Sequence, residues 1–197
     1  MQTTVKKRVA VIGAGIAGLS CATRLQAMGF EVEVFEKSRG PSGRMSTREG
    51  DGWTADHGAQ YFTARDPLFK HELGSWIDNG IVDRWNPNIG VFEEGRWRES
   101  SSNESRYVAI PGMNMIGKYL ARSLTLQLNQ TIDQLIPVND QWQLSSKESG
   151  FLNSVFDFLV LALPAPQAAA LTKALPNEIQ AICDQSACSK ALVEPIR

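Results

Sequence analysis

The run Gly13-Ala14-Gly15-Ile16-Ala17-Gly18 restricts the fold more than any other feature, because of what flanks it. Before it, Arg8–Ile12 (RVAVI) is short, β-branched and bounded by glycine, the composition of a strand buried on both faces. After it, Ile16, Leu19, Ala22, Leu25 and Met28 recur at helical spacing, and Gly29 stands where a helix ends with positive φ. Glu31–Phe35 (EVEVF) then reads as a second strand. Strand, helix and strand within about thirty residues predict a parallel βαβ unit with the glycines at its first turn.

Each glycine has its own task. Gly13 permits a tight turn out of the strand, Gly15 lets backbone approach a pyrophosphate, and Gly18 lets the helix lie close to the sheet. Ala22 and Gly29 stand where close helix–sheet contact is also expected. The amides from Gly15 to Ala17 point at phosphate oxygens, with the positive end of the helix dipole behind them. Glu36 closes the second strand, where a carboxylate accepts from both ribose hydroxyls and repels a 2′-phosphate. These parts together read as a dinucleotide site, shared by FAD and NAD enzymes. Glycines in Lys37-Ser38-Arg39-Gly40-Pro41-Ser42-Gly43-Arg44 permit a further backbone contact, and Arg44 can neutralise phosphate charge. No tyrosine is followed four residues on by lysine, which weakens a plain short-chain NAD dehydrogenase.

Downstream, Ser38–Gly52 reads as a glycine-rich loop with a turn at Asp51-Gly52. Asp66–Gly80 reads as a helix with Leu68, Phe69, Leu73, Trp76 and Ile77 on its apolar side. Val91, Phe92, Glu94-Gly95 and Trp97 suit a small hairpin. Asn114–Ser123 reads as a helix with Asn114 as cap. Short strands are expected around Leu124–Leu128, Thr131–Ile136 and Trp142–Ser145, and Phe156–Leu163 as one apolar strand stopped by Pro164 and Pro166. Trp76, Trp85, Trp97 and Trp142 are assigned to core or domain contacts.

A net charge of −1 offers no field for nucleic acid or an anionic membrane, and neither is expected as a partner. Lys6-Lys7-Arg8 before an apolar run imitates a signal peptide, but the glycines occupy fingerprint positions instead. The three cysteines, Cys21, Cys183 and Cys188, lack redox or zinc spacing, so a reduced cytoplasmic setting and no metal are expected.

GAGIAGL at Gly13–Leu19, EKSRGPSGRMSTR at Glu36–Arg48 and DHGAQYFTARD at Asp56–Asp66 resemble bacterial renalase-like FAD oxidoreductases. RYVAIPGM at Arg106–Met113 and LALPAPQAAAL at Leu161–Leu171 continue the resemblance. This wider group is similar to amine oxidases of the glutathione-reductase type. The resemblance implies an α/β fold: a Rossmann-like FAD-binding domain with a mostly parallel sheet, plus part of a smaller substrate domain. The implied domains are 1–65 with 107–165 for FAD, and 66–106 with 166–197 for a partial substrate domain. Members of the group run longer than this chain, so the resemblance also implies that the substrate domain is incomplete.

It implies that Gly13, Gly15, Ala17 and Gly18 meet pyrophosphate, Glu36 the adenosine ribose, and Ile132 the adenine. Arg44 would lie near the phosphates, and Gly58-Ala59-Gln60-Tyr61 alongside the flavin ring. Ala14, Ile16, Lys37 and Met45 complete the expected cofactor-binding set. Gln60 and Tyr61, and less strongly His57, are the candidates for lining the substrate pocket. The implied activity oxidises a dihydronicotinamide isomer to NAD(P)+, with oxygen receiving the electrons. An amine oxidase or desaturase-like relative, or a fragment that binds dinucleotide without turnover, remains as an alternative.

Overall fold

A computed structural model describes residues 6–99 and 104–176, together with Ala181. Cys183, Cys188 and most of the expected tail segment 166–197 lie outside the described residues, as do positions 100–103. The chain is α/β. It begins β1 (Arg8–Ile12), α1 (Ile16–Ala27), β2 (Glu31–Glu36), β3 (Thr47–Gly50), β4 (Trp53–Asp56) and α2 (Pro67–Asp78). It continues β5 (Val82–Trp85), β6 (Gly90–Glu93), β7 (Arg96–Glu99), β8 (Arg106–Ala109) and α3 (Asn114–Ala121). It then runs through β9 (Thr125–Leu128), β10 (Ile132–Val138), β11 (Gln141–Ser146), β12 (Gly150–Phe156), β13 (Phe158–Leu161) and α4 (Ala165–Thr172). The chain divides into two units, residues 1–41 with 121–197 and residues 42–120.

The first unit is built on a wholly parallel sheet in the order β13-β1-β2-β9. Its central strand β1 buries Val9, Ala10, Val11 and Ile12 almost completely, as a strand covered on both faces must. Helix α1 makes the β1–β2 crossover and buries Leu19 and Ala22. A three-stranded antiparallel sheet, β10-β11-β12, packs Ile132, Leu135, Leu144 and Phe156 with Ala10, Ile12 and Phe35 into one core. Phe35 and Phe156 meet edge to face, with ring centroids 5.8 Å apart.

Two expectations for this unit are corrected. Phe156–Leu163 is not one strand: Asp157 separates β12 from β13. Its carboxylate accepts the Arg8 backbone N–H at 2.8 Å and the Lys7 ammonium at 2.8 Å. The side chain therefore lets the chain pass from an antiparallel to a parallel sheet at that point. Gly29 does end α1 with φ +93°, but a Cβ there would touch nothing, so helix–sheet packing is no reason for it.

In the second unit the end of the expected loop 38–52 is strand β3, which pairs with β4 in a hairpin closed by the turn at Asp51-Gly52. Hydrophobic alternation could not reveal it, because both strands are largely exposed. Polar bonds anchor it instead. The Asp56 carboxylate accepts the Thr47 hydroxyl at 2.5 Å and the Met113 N–H at 2.9 Å, and Thr47 Oγ1 accepts the Asn114 N–H at 3.1 Å. Gly112 admits this network: a Cβ there would stand 2.9 Å from Thr47 Oγ1.

Helix α2 begins at Pro67, with the Asp66 carboxylate accepting the N–H groups of Leu68 and Phe69. Only Leu73 and Trp76 of its expected apolar face are buried; Leu68 is 82% exposed. Phe62, Phe69, Trp76 and Tyr107 form an aromatic cluster beside the β5–β8 pair. The β6–β7 hairpin forms as expected, with the Phe92 and Trp97 rings tilted against each other at 5.1 Å between centroids. Trp97 is nevertheless 75% exposed and Trp85 39%, so neither is a core residue of the unit. Asn114 is the first residue of α3.

Candidate functional site

The glycine turn is determined by backbone geometry. Gly13 has φ +106°, and a Cβ there would lie 2.6 Å from the Ala162 carbonyl oxygen. On Gly18 a Cβ would overlap the Gly13 carbonyl oxygen and stand 3.0 Å from the Ala162 Cβ. Both positions exclude every side chain for reasons internal to the fold. Gly15 differs: its φ is −73°, and a Cβ would meet nothing within 4 Å. Among the described residues nothing requires glycine at that position. Open space there suits a ligand that comes close to backbone.

Gly15 is the N-cap of α1, with no side chain capping the helix and no acidic residue in the first turn. The free N–H groups at such a terminus favour an anion. Ala14 does not share that role. It is fully buried, and its N–H donates to Glu36 Oε2 at 2.8 Å.

Glu36 is 7% exposed. Its second oxygen, Oε1, accepts the Ser38 N–H at 2.9 Å. A carboxylate has about four acceptor positions, so about two remain for ligand hydroxyls. Glu36 is thus held from both sides, by the glycine turn and by the chain leaving β2.

Beside these groups, within the first unit, lies a cavity of about 530 Å³. Gly13, Glu36, Lys37 and Ile132, all expected at the site, line it. Gln130, Thr131, Asp133, Lys147, Leu163, Gln167 and Leu171 also line it, and sequence reasoning did not single them out for the site. For Gln167 and Leu171 a signal existed: proline in the first turn followed by alanines marks α4 as a helix. For Lys147 no signal existed, because strand pairing alone brings the β11–β12 turn to the cavity.

The remaining expected residues lie in the second unit. Ser42, buried with φ +118°, donates its hydroxyl to the Asn114 carbonyl at 2.9 Å, and a Cβ on Gly117 would collide with that hydroxyl oxygen. Arg44 and Met45 follow in a short 3-10 turn. The Ala59 N–H donates to the Arg44 carbonyl at 2.9 Å, and a Cβ on Gly58 would overlap that same carbonyl oxygen. The segments 42–46 and 57–61 are therefore packed backbone to backbone. His57, Gln60 and Tyr61 are exposed. His57 Nε2 lies 3.2 Å from Ser46 Oγ, and the Tyr61 ring lies tilted against Trp85, centroids 5.5 Å apart, with the Arg106 guanidinium 5.6 Å from the Tyr61 ring centroid. Among the described residues no cluster could hold a metal ion, and no helix is long and apolar enough to cross a membrane.

Residues 11–73 match a family described as the NAD(P)-binding Rossmann-like domain. A zeta-carotene-forming phytoene desaturase of Myxococcus xanthus is 48% identical over 56 residues, covering 28% of this chain and 11% of that enzyme. A 4,4′-diapophytoene desaturase of Staphylococcus aureus is 47% identical over 51 residues, covering 26% of this chain and 10% of that enzyme. The matched stretch thus spans about a tenth of the length of these curated relatives. In three dimensions the chain is similar to a candidate protoporphyrinogen oxidase of Exiguobacterium sp. 255-15, with TM-score 0.67 and 12% identity, over 90% of this chain and 64% of that one. A redesigned putrescine oxidase gives TM-score 0.71 and 13% identity, over 91% of this chain and 63% of that one. At such identities the likeness establishes a shared Rossmann-like fold.

Proposed function

We propose that this chain is the FAD-binding part of a renalase-like FAD-dependent oxidoreductase that oxidises a dihydro isomer of NAD(P), with oxygen as electron acceptor. The observation that supports this reading is the cradle: the uncapped start of α1 at Gly15, with open space above it, beside a 530 Å³ cavity bearing Glu36 and Ile132. The desaturase and oxidase names among the similar proteins point to redox chemistry as well. FAD, when bound, supplies a ring that accepts hydride and passes electrons on.

This chain's residues bind and orient. The free amides at Ile16 and Ala17 would hold the pyrophosphate, and the remaining acceptor positions of Glu36 the ribose hydroxyls. The strand start at Ile132 would meet the adenine, and Lys37 would add positive charge at the cavity rim. Roles for Arg44, Met45, Gly58, Ala59, Gln60 and Tyr61 at the cofactor rest on the family resemblance. So do the assignments of 1–65 with 107–165 to FAD binding and of 66–106 with 166–197 to part of a substrate domain. Hydride transfer requires no acid or base, so His57 receives no catalytic assignment. A cytoplasmic setting accords with the free thiol of Cys21.

The test is the visible spectrum of the purified chain after incubation with FAD and gel filtration. Retained flavin bands, bleached anaerobically by dihydronicotinamide isomers, are expected. Bleaching by amines in preference would replace the substrate. Bound flavin that no reductant of either class bleaches would make the chain a non-catalytic binding fragment. A colourless chain would overturn the choice of FAD.

A further inference from the structure

The cavity wall at Gln130–Thr131 is bound to a neighbouring turn by side-chain hydrogen bonds. All three polar groups of Thr131 face the β11–β12 turn. Its N–H donates to Glu148 Oε2 at 2.6 Å, its hydroxyl donates to Glu148 Oε1 at 2.8 Å, and its carbonyl accepts the Lys147 N–H at 2.9 Å. The Gln130 side chain is held by the same turn: its oxygen accepts the Ser146 hydroxyl at 2.6 Å and its amide donates to Ser149 Oγ at 3.1 Å. The Ser149 N–H closes the turn onto Ser146 Oγ at 3.0 Å. On its other side, the Gln130 N–H donates to the Glu36 carbonyl at 3.0 Å. The wall is thus held between the end of β2, which carries Glu36, and the turn 146–149. Lys147 of that turn lines the same cavity.

We propose that the turn at residues 146–149 is a clasp that sets the nucleoside-facing wall of the cavity, with Glu148 as its positioning residue acting through Thr131. The inference rests on the cavity being the FAD nucleoside site proposed above. Both oxygens of Glu148 are committed to one residue, which fixes where Thr131 and the following Ile132 stand relative to Glu36. The backbone and side-chain hydrogen bonds from Thr131 also hold the Glu148 carboxyl below its ordinary range, so the anion is the form that makes both contacts. Glu148 itself does not line the cavity, so its loss acts on affinity through geometry.

FAD affinity of the full chain, by flavin fluorescence titration, tests this alongside urea unfolding midpoints. Glu148→Ala should weaken FAD binding about tenfold, since two hydrogen bonds to a charged acceptor are lost. Thr131→Val should weaken it less, and Thr131→Ser should stay within about twofold of wild type, because it keeps both donors. The double variant Glu148→Ala/Thr131→Val should be little worse than Glu148→Ala alone, as the two act through one contact. Unchanged affinity in Glu148→Ala would overturn the clasp while leaving the FAD site intact. Equal affinity in Thr131→Val and Thr131→Ser would overturn it even if Glu148→Ala fails to fold. A wild-type chain that binds no FAD would overturn the proposed function, and the clasp's purpose with it.

Discussion

The glycine turn of the first unit and the hairpin-rich second unit are held by different means. In the turn, backbone meets backbone: the Gly13 and Gly18 positions are closed to any Cβ by carbonyl oxygens, and the Glu36 carboxylate is held by two main-chain N–H groups. In the second unit, side chains add further links to the backbone contact of 42–46 with 57–61, through the Phe62–Phe69–Trp76–Tyr107 cluster and the bonds of Thr47 and Asp56. A backbone-built region tolerates little change at few positions. A region joined by side chains spreads its stability over many residues, each replaceable at a moderate cost.

The sharpest test of this contrast lies inside the glycine run. Gly18→Val should prevent folding of the first unit, since its Cβ would displace the Gly13 carbonyl. Circular dichroism and gel filtration of the expressed chain would show it, and a well-folded variant would break the comparison. Gly15→Val should do the opposite. Its φ of −73° suits any residue and the Cβ enters open space, so stability should fall by no more than about 1 kcal/mol. FAD retention after gel filtration should nevertheless be lost. Normal flavin content would count against the pyrophosphate assignment.

Trp76→Ala addresses the second unit. Trp76 is 1% exposed, packs at 5.8 Å from Phe69 and donates its indole N–H to Glu72 at 3.0 Å. Its truncation should cost about 3–5 kcal/mol, read from denaturant unfolding with the second unit's loss followed by hydrogen exchange. A cost below about 1 kcal/mol would mean that the aromatic cluster is not what joins that unit.

The smallest effect is expected at Asp157, the side-chain joint of the first unit. The Lys7 ammonium, and then the Arg8 N–H, hold its carboxyl below the ordinary range. Its contribution is therefore present above the unfolded-state value, about pH 4, and lost as pH falls through the lower folded value. Asp157→Asn should be less stable than wild type at neutral pH, and the difference should shrink in acid. A constant difference between pH 7 and the acid limb would show that charge plays no part in the joint.

The legible parts of the sequence were those where one residue type is dictated locally. Strand β1, helix α1 and strand β2 were readable because an apolar run, a glycine turn and a helical period each leave a mark on consecutive residues. The Glu94-Gly95 turn was readable for the same reason. The β3–β4 hairpin and strand β5 were not, because largely exposed strands lack the alternation that burial imposes. Of the proposed site, the sequence itself marked Gly13, Gly15, Gly18 and Glu36, through a tight turn, missing Cβ atoms and a charge at a strand end. Only the tertiary structure decided that Gln130, Thr131 and Lys147 share a cavity with Gly13 and Glu36. Those three are common polar residues with no local signature. They reach the cavity because β10 and β11 pair antiparallel, and that pairing comes from a core shared by residues distant in the chain.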